Sequence, residues 1–205
     1  MSSYGSRFFL SSEVFANIKF WKKDNGVGVM KLASGLIQVY TGNGKGKTTA
    51  ALGLALRAVG REMTVCMIQF IKGGGPCGEH LAAMQLAPYF SIIRTGREGR
   101  VGRGNSSDED SRLAREALML AGEALAGGKY NIVILDEINV AISFGMISVD
   151  DVLAIMDSKP PDVELVLTGR NAHERIIASA DLVTEMREVK HYFKVGVPAR
   201  LGIEK

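Results

Sequence analysis

The sequence predicts an α/β fold, a single doubly wound domain whose mostly parallel sheet is flanked by helices. Three observations predict it. Short continuous apolar runs recur along the chain, and apolar side chains on both faces of a strand mark a sheet covered on two sides. Segments with helical spacing alternate with those runs, as parallel strands require. A loop rich in glycine and lysine follows the first run and opens the first helix.

Residues 36–40 form the first strand. Residues 48–59 are apolar on most sides and read as a buried helix that stops at Gly60. Residues 64–70 give the second strand, and 91–93 a short third. Over 108–126, Leu113, Ala117, Leu120 and Leu125 fall at helical spacing, with Gly127 and Gly128 as the stop. Residues 131–135 form a further apolar strand. Ser148 and Asp151 make a capping-box-like pair at the head of a helix over 148–156. Strands at 163–168 and 182–186 enclose a helix at 172–180.

Residues 1–34 differ from the rest. They carry Phe8, Phe9, Phe15, Phe20 and Trp21 without a period, then a turn-rich piece at 22–28. Two readings stand: a flexible N-terminal arm, or a gene-start artefact with translation beginning at Met30. The folded domain is expected over 35–205, with no internal repeat.

Hydrophobic residues make up 46% and charged residues 23%, which excludes a disordered chain. The net charge of +3 suits an anionic small molecule as readily as nucleic acid and so implies neither. Two cysteines, Cys66 and Cys77, build no disulfide framework and lack metal-ligand spacing. Cys66 lies in an apolar run and reads as a small core residue. A reducing cytoplasm is the expected location. No run approaches the roughly 18 apolar residues of a membrane span, and the first residues do not read as a signal peptide.

The chemistry-bearing segment is Thr41-Gly42-Asn43-Gly44-Lys45-Gly46-Lys47-Thr48-Thr49. A strand before it and a helix after it are the context of a P-loop. Glycines let the backbone curl until several N–H groups converge on phosphate oxygens, and the helix N-terminus adds positive potential. Lys47 adds a full charge, and the Thr48 hydroxyl can ligate Mg²⁺. The P-loop pattern places a glycine where this chain has Thr41; Gly42 and Gly44 are expected to supply the missing freedom. The strand at 131–135 delivers Asp136 and Glu137 to its carboxyl end, the sheet edge where α/β proteins bind ligands, as in a Walker-B-type site. The fold is therefore of the P-loop NTPase-like (RecA-like) kind.

A P-loop does not name a reaction. The phosphate loop with Arg57-Ala58-Val59-Gly60, Gln69-Phe70-Ile71-Lys72-Gly73, Gly78-Glu79, Leu135-Asp136-Glu137, Leu167-Thr168-Gly169-Arg170, the 180–186 segment, Val189-Lys190-His191 and Gly202-Ile203-Glu204 follow one another in order. Together they resemble the P-loop-type corrinoid adenosyltransferases. The resemblance implies attack of a Co(I) corrinoid on C5′ of ATP, with triphosphate as leaving group. It matches Asn43, Gly44, Gly46, Lys47, Thr48 and Thr49 to the triphosphate loop, and Thr48 and Glu137 to Mg²⁺ ligands, with Asp136 acting through water. Arg57 is read as reaching the nucleotide or as a solvated helix arginine. Gln69, Lys72, Glu79, Arg97, Arg170 and His191 are candidates for lining the site. A homodimer and a flavoprotein reductant follow from the resemblance alone.

Well-known members carry an aromatic pair after the Thr-Gly that corresponds to Thr95-Gly96. Here those positions hold Arg97 and Gly99, within an arginine-rich stretch at 94–104 that reads as a solvated loop or a lid over corrinoid. Phe144 and Trp21 are the alternative aromatics. Two rival readings stay open: another P-loop kinase or ATPase, and a nucleic-acid-binding ATPase. The second lacks a stacking platform in the basic loop, so no nucleic acid is expected.

Overall fold

The computed structural model describes residues 31–97, 102 and 106–204. Trp21, Gly99 and nearly all of the expected N-terminal arm lie outside them. The chain runs through β1 (Ile37–Thr41), α1 (Lys47–Val59), β2 (Val65–Gln69), α2 (Gly78–Gln85), β3 (Phe90–Arg94) and α3 (Asp108–Ala126). Then come β4 (Ile132–Asp136), α4 (Ile138–Ser143), α5 (Val149–Asp157), β5 (Glu164–Thr168), α6 (Glu174–Ala178), β6 (Leu182–Glu185) and a 3₁₀ turn (Tyr192–Val195).

The strands form one parallel sheet in the order β3-β2-β4-β5-β1-β6. Alternate residues of each central strand feed two separate cores, as a period of two requires. Val39, Cys66, Ile68, Val133, Leu135, Leu165 and Leu167 face the core that contains α3, α4 and α5. Tyr40, Val65, Met67, Ile132, Ile134 and Val166 face the core under α1 and α2. The fold is doubly wound for that reason, and Cys66 is buried in it as expected. Each fully buried Leu, Ile or Phe contributes about 1.5–3 kcal/mol, enough in sum to hold the central strand ends as a rigid platform.

Local signals start the longer helices. Ser107 accepts from the Asp110 amide while Asp110 reaches back to the Ser107 amide, so α3 opens on a reciprocal capping box. Ser148 accepts from the Asp151 amide at the head of α5. Past α3, Gly128 rather than Gly127 takes the left-handed turn, at φ 64°.

Two helices and one strand depart from the sequence reading. Helix α2 was not expected, because only Ala83 of its residues is buried and it presents no apolar stripe. Helix α4 is six residues long, too short to show a helical period. Strand β6 pairs with β1, yet all four of its residues are exposed, against the expectation of cover on both faces.

Candidate functional site

The register lines the carboxyl ends of four strands into one row. Gln69 at the end of β2 stands beside Asp136 at the end of β4. Leu135 pairs with Leu167, so Asp136 is followed across the sheet by Thr168 of β5, which pairs in turn with Tyr40 of β1. Asp136 is fully buried and takes hydrogen bonds from both sides. Its Oδ1 accepts from Thr48 Oγ1 (2.9 Å) and Thr168 Oγ1 (2.7 Å). Its Oδ2 accepts from Lys72 Nζ (2.6 Å) and Gln69 Nε2 (3.2 Å). A buried carboxylate is tolerated only when its lone pairs are satisfied in this way. Burial disfavours the Lys72 charge, but Asp136, with Glu137 and Glu79 farther off, holds its ammonium above the usual lysine range.

The phosphate loop crosses the top of this row. Gly42 and Gly46 have φ of 93° and 124°, values that favour glycine. Thr41 stays in the strand, where its hydroxyl accepts from the Ala172 amide, so no positive φ is needed there. Gly44 serves another purpose than the expected flexibility. Its N–H donates to Met186 O at 2.6 Å, and a Cβ would stand 2.7 Å from that oxygen. The loop is thereby clamped to the chain leaving β6. Lys47 is only 7% exposed and folds back over the loop, its Nζ donating to Gly42 O and Gly44 O, each at 2.8 Å. Burial pulls its ammonium below the usual lysine range, against the pull of Glu137 and Asp136. Two carbonyls are weak partners for a cation, so phosphate oxygens can displace them.

Glu137 has a left-handed backbone, φ 65°, a costly state for a non-glycine residue. Its N–H donates to Thr168 Oγ1, the hydroxyl that donates onward to Asp136, and this bond holds the turn. The half-buried carboxylate faces the cleft without a hydrogen-bond donor among the described residues. Burial, then Asp136, pushes it above the ordinary carboxylate range, while Lys72, Lys47 and Arg170 oppose the rise. One free carboxylate beside the Thr48 hydroxyl, with room for waters and phosphate oxygens, is the donor chemistry that Mg²⁺ accepts. Among the described residues there is no cluster of three or more His, Cys, Asp or Glu placed to hold a metal ion.

A stability prediction follows from the sign of that shift. A carboxyl held higher in the folded than in the unfolded chain contributes stability below the unfolded value and loses it as pH rises through the folded one. Above the unfolded carboxylate range, Glu137 therefore works against folding. Glu137→Gln is expected to raise the melting temperature of the ligand-free protein in EDTA while abolishing the Mg²⁺ dependence of ATP binding. A melting temperature unchanged or lowered, read by calorimetry, would refute this.

These groups open into a cleft of about 770 Å³, lined by residues 44–49 and by Lys72, Glu79, Glu137, Arg170 and His191 among others. That is the size range of small-ligand sites. The C-terminal segment forms one wall: Lys45 Nζ donates to Ile203 O (3.4 Å) and lies 3.8 Å from Glu204. Arg200 and Tyr192 both hold Glu204, whose carboxyl is held down to about 2, chiefly by Arg200. His191 lines the cleft and also caps the 3₁₀ turn, its Nδ1 accepting from the Phe193 amide (3.1 Å).

Over residues 33–204 the chain matches the ATP:corrinoid adenosyltransferase family BtuR/CobO/CobP. The chain belongs to that family. It is 37% identical over 170 residues to the corrinoid adenosyltransferase of Escherichia coli K12, across 83% of this chain and 85% of that one. It is 38% identical over 170 residues to the corrinoid adenosyltransferase of Pseudomonas aeruginosa, across 83% of each. The flagellar accessory protein FlaH from Methanocaldococcus jannaschii superposes with a TM-score of 0.53 at 15% identity, covering 75% of this chain and 72% of that one. That likeness speaks for the fold alone.

Not every expected site residue of this adenosyltransferase-family chain reaches the cleft. Gln69 lies directly beneath it, fully buried against Asp136. Gly42 shapes the loop from behind, and the exposed Asn43 is outside the lining. Arg57 is exposed in the last turn of α1, where its charge favours the helix C-terminus. Arg97 turns away and pairs with Asp110 at 2.6 Å, closing the head of α3. That pairing, with Ser107, holds the Asp110 carboxyl down to about 2. Phe144 packs partly buried against the core and does not line the cleft. Three contributors had no sequence-level reading of their own. Thr168 stands in the resemblance only as part of a string, and no local pattern marks His80 or the Lys45–Glu204 contact.

Proposed function

We propose that this chain transfers the 5′-deoxyadenosyl group of ATP to the Co(I) of a corrinoid and releases triphosphate, in adenosylcobalamin biosynthesis or salvage. The family match over residues 33–204 carries the reading. The cleft supports it by offering what such a reaction asks of a protein, namely fixed positive charge around a departing triphosphate. In the step, the cobalt electron pair attacks C5′, a Co–C bond forms and the C5′–O bond breaks. The triphosphate leaves with that bonding pair, and cobalt goes from Co(I) to Co(III).

The substrate corrinoid is itself the nucleophile, so no side chain needs to attack or to remove a proton. The loop N–H groups cradle the phosphates, and Lys47 leaves the Gly42 and Gly44 carbonyls to meet them. Lys45, Thr49 and Arg170 line the same cleft and add polar or positive groups, while Asn43 belongs to the loop outside the lining. Bound Mg²⁺ would be held by Thr48 and Glu137 and would supply further positive charge to the leaving group. Asp136, buried and bonded directly to the Thr48 hydroxyl, has no lone pair left for the bridging water that the sequence reading gave it, and fixes Thr48 instead. Preorganised charge of this kind is a large contributor to rate, roughly 10²–10³-fold per donor. A homodimer and a flavoprotein that delivers the electron to cobalt complete the proposal on the family resemblance, and two cysteines that build no disulfide framework suit a cytoplasmic setting. Among the described residues no helix is long and apolar enough to cross a membrane.

The test is anaerobic. The protein is mixed in the dark with ATP, Mg²⁺ and chemically reduced cob(I)alamin, and the absorbance is followed. Growth of the adenosylcobalamin spectrum with stoichiometric triphosphate is expected. Release of ADP and phosphate without cobalt alkylation would overturn the reading in favour of a general P-loop ATPase.

A further inference from the structure

We propose that His80 is a positioning residue for the triphosphate site, setting the orientation of the Gln69 amide beneath Asp136 through its tautomer. The proposal rests on the role assigned above to the Asp136 cluster. The geometry begins at the head of α2, where Cys77 is the N-cap. The Cys77 N–H donates to His80 Nδ1 at 2.9 Å. A neutral imidazole that accepts at Nδ1 carries its proton on Nε2. His80 Nε2 lies 2.8 Å from Gln69 Oε1, so it donates there.

That donation decides which way the Gln69 amide faces. Its oxygen is taken by His80, and its NH₂ group points to Asp136 Oδ2 (3.2 Å) and Glu79 Oε1 (3.5 Å). The reversed amide would set an oxygen against two carboxylates and an NH₂ against the His80 N–H. Gln69 is fully buried, so water cannot repair the mismatch. Asp136 Oδ2 also receives Lys72, and Oδ1 receives Thr48, so the Gln69 bond fixes a carboxylate that holds two cleft-lining groups. His80 is suited to the task because it stays neutral. Burial, then the nearby Arg94 and also Lys72, keep it below the ordinary histidine range, outweighing Glu79 and the Cys77 contact.

An amide places an oxygen and a nitrogen either side of one carbon, much as imidazole places its two nitrogens. Glutamine at position 80 can therefore accept from Cys77 and donate to Gln69, and glutamine is a favoured residue at this helix position. Phenylalanine fills the space but does neither. His80→Phe is expected to weaken Mg²⁺·ATP binding by roughly 10–100-fold, the usual effect of removing an outer-shell partner. His80→Gln is expected to restore binding to within about threefold of the wild type.

Two measurements on the full chain test this, and neither needs cobalt chemistry. Long-range ¹H–¹⁵N NMR of the ligand-free protein is expected to show the Nε2–H tautomer of His80. Calorimetric titration with Mg²⁺·ATP is expected to give the order wild type, His80→Gln, His80→Phe. An Nδ1–H tautomer would overturn the proposal. So would His80→Phe binding Mg²⁺·ATP like the wild type, or His80→Gln binding as poorly as His80→Phe. If the protein failed to alkylate cobalt, the functional reading would fall while these outcomes still decided the role of His80.

Discussion

Replacement of Lys47 by alanine is expected to lower the rate of adenosyl transfer by about 10²–10³-fold, the cost of deleting one preorganised charge at a developing anion. The ligand-free fold should survive it. Among the described residues Lys47 contacts two loop carbonyls and no carboxylate directly, and its burial works against its charge. The loop is held by other means, through Gly44 N–H on Met186 O and through Thr48 on Asp136. Thermal unfolding of Lys47→Ala should therefore lie close to that of the wild type. The rate loss should appear in kcat measured at saturating ATP as well as in kcat/KM, because the charge on the leaving triphosphate grows most in the transition state. A variant with wild-type kcat and only a raised KM would assign Lys47 to ground-state binding and remove it from the chemistry.

What could be read from the sequence divides along a physical line. Residues 42–49 are legible because everything a phosphate loop needs lies within one local stretch between a strand and a helix. Asp136 and Glu137 are legible because an apolar strand must end at a sheet edge. The partners of Asp136 are another matter. Thr48, Gln69 with Lys72, and Thr168 come from three places in the chain, and only the order β2-β4-β5-β1 brings them together around Asp136. Local sequence carries no statement of that order. Arg97 shows the reverse case: an arginine in a glycine-rich stretch looks available for ligand, but Asp110, displayed by the capping box of α3, claims it. The head of α2 was silent because cysteine is an unusual N-cap, and its partner His80 looks like any lone histidine until the fold sets it against Gln69.

Asp136→Ala is expected to be the most destabilising single change in the site. It strips the partner from Lys72, leaves the buried Gln69 amide unpaired on that side, and frees the Thr48 and Thr168 hydroxyls. Breaking a buried charge pair costs about 3–5 kcal/mol. Lys72 is 32% exposed, so water recovers part of its hydration and the low end applies. At about 2–4 °C per kcal/mol for a chain of this size, the melting temperature should fall by roughly 10 °C. Asp136→Asn separates stability from activity. Its oxygen can face Lys72 and Gln69, while its NH₂ meets two hydroxyls that rotate to accept. Most of the stability should therefore return. Activity should not, because Thr48 must then turn its lone pair to the asparagine and is no longer held as it was toward the cation. Calorimetry and the cobalt assay on both variants decide the matter. If Asp136→Asn transfers adenosyl at the wild-type rate, the Asp136 charge is structural, and Glu137 alone carries the acidic role.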